Sequence, residues 1–540
     1  MTTPTSKFPT LRRFFHPVGK IYRAVFTWRN ARRALLGGAI LVTLLVSFYL
    51  EELWRGQRAW EATRRDFEAK GGILDLAKLA PPPVPDDQNF AMTPLLKPLY
   101  LPGSQDHPNK YSSELWAKLA WPDAKGRDPD VHASFYLNWT VAKSVDLNDW
   151  QKFLGSSDIL QTLKKFDPVL SEITAASRRP FARFPFEYEN GPAAPPPGMD
   201  AWSQMMKTQE ILRRLADIYE ARALAELAAG QTDRAADDVV TIFQLAVFLN
   251  DESGMFTQLV SYFVAERGMQ ALWEGLAAHR WSDNQLISFS DELQKIDYLA
   301  GELRGVQHQI ALDDKQWVRP FTDPTCLEGA FPWPPEGHWQ GQKYDTISLL
   351  QQILEDHLRV WLCHQEAYWF PRGWLYQNRI IRVQDFQKIL ATFDVPHHRL
   401  DPEKSKALDD EFAQRKSTPF NFIANGMVYN NELTNLGNIF GSNQASLDEA
   451  QVACTLERFR LANDRLPETL AELAPKFITK IPTDIISGGP LHYQKKADGH
   501  FLLYEVGWNG TDDGGMVAKD NYGELDRNHG DWVWPDTPQG

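Results

Sequence analysis

ALLGGAILVTLLVSFYL, residues 34–50, runs seventeen residues without a charge, and basic residues flank it on one side only. Lys7, Arg12, Arg13, Lys20, Arg23, Arg29, Arg32 and Arg33 precede it, with no Asp or Glu among residues 1–33, and Glu51 and Glu52 follow. A helix needs roughly 17–25 such residues to cross a hydrocarbon core. The run sits at the short end of that range, and Leu53 and Trp54 extend it. Tyr49 and Trp54 suit the far interface, where amphipathic rings prefer to lie. The charge asymmetry predicts a single span over residues 34–54, with the basic N-terminus in the cytoplasm and the bulk of the chain beyond the inner membrane. A cleaved signal peptide shares the basic and apolar parts. Here, however, the basic region exceeds thirty residues and no small-x-small site follows the run. EELWRGQRAWEATRRDFEAK continues instead as a charged helical pattern, so the expectation is an uncleaved signal anchor.

The chain of 540 residues carries −13, and residues 1–33 contribute +8, which leaves −21 on residues 34–540. An exported part of that charge repels nucleic acid and anionic lipid. The partners expected are therefore the membrane, through residues 34–54, and proteins of the envelope, with no nucleic acid. Three cysteines, Cys326, Cys363 and Cys454, are too few for a disulfide scaffold and match no zinc spacing. They read first as small buried hydrophobes. Nineteen Trp among 65 aromatic residues are scattered along the chain. That pattern favours core filling over a stacking platform for glycans.

Beyond the anchor, residues 55–105 read as a stalk helix followed by a proline-rich strap. Pro81, Pro82, Pro83 and Pro85 force extended backbone, and Asp86 to Leu101 lies over the domain that follows. Residues 106–440 read as a mainly α-helical exported domain, interrupted by PAAPPPG at 192–198 and FPWPPEG at 331–337. In ILRRLADIYEARALAELAAGQ, Leu212, Leu215, Tyr219, Ala223 and Leu227 form an apolar face. Arg213, Arg214, Asp217, Glu220, Arg222 and Glu226 occupy the opposite, solvated one. Gly230 stops this helix, Thr232 caps the next, and Ser282 with Gln285 forms a capping box. A further helix is expected from Asp345 to Trp369, stopped by Pro371 and Gly373. No repeat of fixed period accompanies the helical pair around Gly230, so an irregular α-helical bundle is expected.

Residues 441–540 change texture. ASLDEAQVACTLERFRLANDRLPETLAELAP reads as an amphipathic helix, a turn at Asn463–Pro467 and a short second helix. KIPTDIISGGPLHYQ and HFLLYEVGWNG follow as two strand-like runs about an Asp-Gly turn at 498–499, and the rest as an acidic, glycine-rich loop. The order of Leu456, Phe459, Leu466-Pro467, Pro482, Asp484, Pro490, Tyr493, Tyr504, Gly507 and the loop from Asn509 resembles the soluble domain of the major pseudopilins of type II secretion, over roughly residues 445–534. The resemblance implies a small α+β domain whose loop binds a structural calcium ion. The chain departs from that pattern at Asn509, where the family carries an acid, and the Asp484–Tyr493 interval is one residue longer. It also has no prepilin cleavage motif, so the resemblance does not extend to a processed pilin subunit. The remainder, including VPDDQNFAMTPL, resembles large single-span envelope proteins of bacteria.

Read for its own chemistry, the loop offers Asn509, Thr511, Asp512 and Asp513, a turn at Gly514, and Asp520 or Asp531 to close a sphere of hard oxygens. The metal ligands expected are Asn509, Asp512, Asp513, Asp520 and Asp531, holding Ca2+ in a structural role. Asp, Asn and Gly also make plain turns, and that alternative stands beside calcium. His357 and His364 lie seven apart on one helix face, and His397-His398 follows Pro396. Neither pair has the spacing of a metal site without a third ligand from elsewhere. The sequons at Asn138 and Asn509 matter only in a host that glycosylates. No nucleophile elbow, zinc-protease, phosphate-loop or dinucleotide motif occurs. The sequence therefore predicts a mainly α chain with a single N-terminal transmembrane helix, a helical bundle and a small α+β C-terminal domain. Its expected role is that of a non-enzymatic envelope protein in assembly or secretion. The alternative is an envelope hydrolase acting on glycan or peptide, drawn from the tryptophans and abundant carboxylates.

Overall fold

The structure, a computed structural model, describes residues 27–80, 82–99, 108–120, 144–145, 147, 151, 158–184, 201–252, 254–322, 371–416, 418, 420–421, 432–497, 499–519 and 525–535. It is mainly helical, with small sheets. The principal helices are α1 (Trp28–Ala69), α2 (Asp167–Ser177), α3 (Ala201–Ala228), α4 (Thr232–Asn250), α5 (Met255–Ala277), α6 (Asp283–Leu293), α7 (Tyr298–Thr322), α8 (Arg372–Leu390), α9 (Pro402–Gln414) and α10 (Glu432–Asn463). The strands are β1 (Phe393–Asp394), β2 (Arg399–Leu400), β3 (His492–Lys495), β4 (Phe501–Glu505), β5 (Val517–Lys519), β6 (Leu525–Gly530) and β7 (Trp532–Trp534). The chain divides into two units, one of Met1–Asp66, Trp317–Arg382 and Ser417–Gly426, the other of Phe67–Gln316, Val383–Lys416 and Met427–Gly540.

In the first unit α1 runs unbroken through the apolar stretch and on into its charged continuation. Among the described residues it is the one helix long and apolar enough to cross a membrane, and no residue of the apolar window, of mean hydropathy 1.9, is buried. Just beyond Leu50, the first turn of α8 clasps α1. Trp374 Nε1 donates to Glu52 Oε2 at 3.1 Å, and Arg379 stacks 3.7 Å over the Trp60 ring. A Cβ on Gly373 would stand 2.1 Å from the Glu52 carbonyl oxygen, so only glycine permits this approach. Pro371 and Gly373 stand at the start of α8. Proline suits the start of a helix, where its missing N–H costs nothing, and the glycine is needed for contact. The helix expected over Asp345 to Trp369 lies outside the described residues.

In the second unit α3, α4 and α5 pack against one another around Leu215, Ile218, Tyr219, Val239, Phe243 and Leu272. Ser282 and Gln285 form the expected capping box at the start of α6. Thr232 is the first residue of α4, and Gln231 holds the cap position. The strap is present as three short 3-10 turns, pinned where Phe90 N donates to the Phe181 carbonyl at 2.7 Å. The larger differences concern the charged face of α3. Arg214, Asp217, Glu220 and Glu226 are buried rather than solvated, because α4 and α5 close over that side. Arg267 of α5, itself 2% exposed, donates Nε to Asp217 at 2.8 Å.

Towards the C-terminus, α10 starts at Glu432, thirteen residues before the Ala445 start read from the sequence. Nearly every residue from Phe440 to Glu457 is buried. On one side lie α6 and α9, on another the strands. β3, β4 and β7 form an antiparallel sheet in the order β3-β4-β7, with Tyr504 opposite both His492 and Val533. The tail that reads as a loop in the sequence supplies β7 and the β5–β6 hairpin. Its strands are too short, and its glycines too frequent, for alternation to show.

Candidate functional site

Charged side chains from adjacent helices of the second unit meet at a cavity of about 410 Å3. α2 contributes Asp167, Ser171 and Thr174 from one face, with Arg178 just past its end, α3 contributes Arg222 and Glu226, and α4 contributes Arg234, Asp237 and Asp238. Arg222 fixes the interior. Its Nε and Nη2 donate to the two Asp238 oxygens at 2.8 and 2.7 Å, and Nη1 to Asp167 Oδ1 at 3.2 Å. Beneath it, the Tyr219 hydroxyl donates to the Leu170 carbonyl at 2.7 Å and lies 2.8 Å from Thr174 Oγ1. Burial pushes the Asp238 carboxyl above its ordinary range, and the Arg222 hydrogen bonds pull against that shift.

Glu226 is different. It is fully buried, and neither carboxylate oxygen has a hydrogen-bond partner. Arg234 Nε lies 3.1 Å from Oε1, out of hydrogen-bond alignment, on a side chain that is 62% exposed. Burial pushes the Glu226 carboxyl up to about 7, helped by neighbouring Asp238 and opposed by Arg222 and Arg234. The cavity thus holds a carboxyl poised between charged and neutral beside a carboxylate locked by arginine. Carboxyls held in such unequal environments mark a candidate functional site. The sequence did show Arg222 and Glu226 on the charged face of α3, but read that face as solvated. The Asp237-Asp238 pair within α4 was the second available signal.

The C-terminal acidic loop lies elsewhere in this unit. Asp531 accepts from the backbone N–H of Asp513 at 3.0 Å and of Gly515 at 2.7 Å. Burial raises its carboxyl above the usual range. Asp512 accepts from the Gly514 N–H at 3.0 Å and the Tyr504 hydroxyl at 2.9 Å, and these bonds hold its carboxyl low. Asn509 donates Nδ2 to Asp513 Oδ2 at 2.9 Å and accepts from the Thr511 N–H at 3.0 Å. The structure therefore gathers Asn509, Asp512, Asp513 and, from between β6 and β7, Asp531 about one loop, with part of their oxygen capacity spent on backbone donors. Asp520 lies outside the described residues.

Nearby, Asp484 accepts three backbone N–H groups, from Ile486, Ser487 and Val506, at 2.8, 2.7 and 2.8 Å. His397 pairs with Asp394 at 2.8 Å, while His398 Nε2 faces Asp297 at 3.6 Å, so the two adjacent histidines serve separate acids. His357, His364, Cys326, Cys363 and Asn138 lie outside the described residues. Cys454 is buried and free, and burial pushes its thiol up to about 12, which makes it a small core residue. Trp273, Trp281, Trp508, Trp532 and Trp534 are core residues as well. Among the described residues no group of three or more His, Cys, Asp or Glu side chains is arranged to hold a metal. No family model, curated protein or solved structure matches the chain.

Proposed function

We propose that this chain is a membrane-tethered, non-enzymatic envelope protein serving in assembly or secretion. Residues 34–54 form a signal anchor in the inner membrane, the N-terminus lies in the cytoplasm, and an irregular helical bundle with a small α+β domain stands on the far side. The observation that carries this reading is the exposed apolar stretch of α1, with basic residues on its N-terminal side only. The pseudopilin-like character of the tail is supported by a long helix packed on an antiparallel sheet, with an acidic loop between β4 and β7. Within that reading Asn509, Asp512, Asp513 and Asp531, with Asp520, hold Ca2+ and pin the last strands. Two fusions to the C-terminus test the tether. Alkaline phosphatase should be active and green fluorescent protein dark, with the protein resisting carbonate extraction. A bright, extractable fluorescent fusion overturns it. Thermal unfolding of the full chain with calcium and with chelator tests the loop, and identical midpoints would remove calcium from the account.

The hydrolase reading retains one specific support, the Glu226 carboxyl at about 7 beside the arginine-held Asp238, since unequal carboxyls divide acid and base roles. Turnover of glycan or peptide substrates, abolished by Glu226→Gln, is its test.

A further inference from the structure

We infer that the first turn of α8, through Trp374, and Phe420 beside it make a second contact with the bilayer, seated in the lipid interface of the far leaflet against the end of the span. This deepens the tethering reading and rests on it. The first ground is continuity. The Phe48 ring, inside the apolar run, lies 6.4 Å from the Trp374 ring, edge to face, and Trp374 lies 5.2 Å from Phe420. Phe48 and Phe420 are 42% and 41% exposed. An apolar surface therefore runs from the uncovered flank of α1 onto residues remote in sequence. Its occupant is lipid because it prolongs a window of α1 in which no residue is buried.

The second ground is depth. Counted from Val42, the middle of residues 34–50, Phe48 stands about 9 Å and Glu52 about 15 Å along the helix axis, against a hydrocarbon half-thickness of about 15 Å. Trp374 bridges these two levels, for its ring lies beside Phe48 while its Nε1 donates to Glu52 Oε2 at 3.1 Å. The apolar body of the indole thus faces the hydrocarbon and its N–H the polar side, the orientation that interfacial tryptophan adopts. The third ground is a fixed height. A Cβ on Gly373 would stand 2.1 Å from the Glu52 carbonyl oxygen, and one on Gly56 would stand 2.6 Å from the Gly373 carbonyl oxygen. Two glycines therefore set the crossing of α1 and α8. Five residues on, Arg379 stacks over Trp60, so α8 climbs away from the span alongside α1, and only its first turn reaches the lipid.

The test places nitroxide labels on the full chain in phosphatidylcholine vesicles, with Cys326 and Cys363 replaced by serine and the buried Cys454 left in place. Phe420→Cys carries the label of interest. Ile40→Cys, 60% exposed in the apolar run, reports the span, and Ala62→Cys, exposed about 18 Å beyond Leu50 on α1, reports water. Collision with oxygen, which concentrates in lipid, is compared with collision with a water-soluble nickel chelate. The oxygen-to-nickel ratio at Phe420 should exceed that at Ala62 several-fold and fall below that at Ile40. A second measurement needs no label. The emission lost in Trp374→Phe isolates that indole, and lipids brominated near the headgroup should quench it more than lipids brominated near the chain ends. A Phe420 ratio equal to that at Ala62, with Ile40 in lipid, overturns the inference and leaves the tether standing. A Phe420 label shielded from both reagents shows protein, another segment or a second copy, covering the surface, and overturns it too. Trp374 emission indifferent to brominated lipid does the same. An aqueous Ile40 label removes the tether, and this contact with it.

Discussion

Replacing Arg222 by methionine separates a structural ion pair from a decorative one. The guanidinium makes two bonds to Asp238 at 2.7 and 2.8 Å and a third to Asp167 at 3.2 Å. The side chains of Arg222 and Asp238 are only 13% and 4% exposed, while that of Asp167 is 45% exposed. Methionine fills much of the volume but leaves Asp238 buried without its donors, a loss of about 3–5 kcal/mol for a pair of this kind. Asp238 can escape by taking up a proton. Its folded carboxyl is already raised above the ordinary value, and removal of Arg222 raises it further. A raised carboxyl contributes stability at low pH that is lost as pH climbs from the unfolded value through the folded one. The deficit of Arg222→Met should therefore be smaller at about pH 5 than at about pH 8. Asp238→Asn alone should cost less, about 1–3 kcal/mol, because Arg222 keeps Asp167 and some solvent. The double variant should recover at least about 1 kcal/mol of the summed losses. Urea unfolding of the full chain in detergent, followed by tryptophan fluorescence, measures all four. Strict additivity, or a deficit indifferent to pH, would refute the reasoning.

Other consequences are as direct. Glu302 is 2% exposed, and burial alone pushes its carboxyl up to about 8. The native chain should lose roughly 1.4 kcal/mol per pH unit from this group between its unfolded value and about 8, and Glu302→Gln should flatten that slope in melts across pH. Asp484→Ala leaves three backbone N–H groups without their acceptor and should cost about 3–5 kcal/mol, read as a lowered unfolding midpoint. Gly373→Ala puts a methyl 2.1 Å from the Glu52 oxygen. It should cost about 1–3 kcal/mol and expose the stem at Glu52 to proteolysis that the native chain resists.

The elements written in long periodic patterns were legible. The α1 run, the apolar face of α3 and the Ser282 capping box all follow from local spacing and side-chain chemistry. What the sequence misplaced was the environment of charge. A charged stripe on an isolated helix reads as solvated, yet Arg222 and Glu226 are enclosed because α4 returns Asp238 and Arg234 to the same face. That enclosure depends on tertiary closure, which no window of α3 contains. The contact role of Gly373 was hidden for a related reason, since its neighbour Glu52 is remote in sequence. The strands of the tail, three to six residues long, are too brief for alternation to declare itself.

Burial of α10 on nearly all sides has a consequence for how the chain is made. A chain threaded from its N-terminus delivers α3 to α6 long before Glu432 arrives. The surfaces of α5 and α6 that α10 covers have nothing to meet until that point. The helix is a keystone set last, and its bonds back to earlier residues, Arg458 to Asp283 at 2.8 Å and Glu457 to His279 at 3.1 Å, close only then. Until the final hundred or so residues emerge, the nascent body carries uncovered apolar surface, the condition in which chains aggregate or call on a holding chaperone.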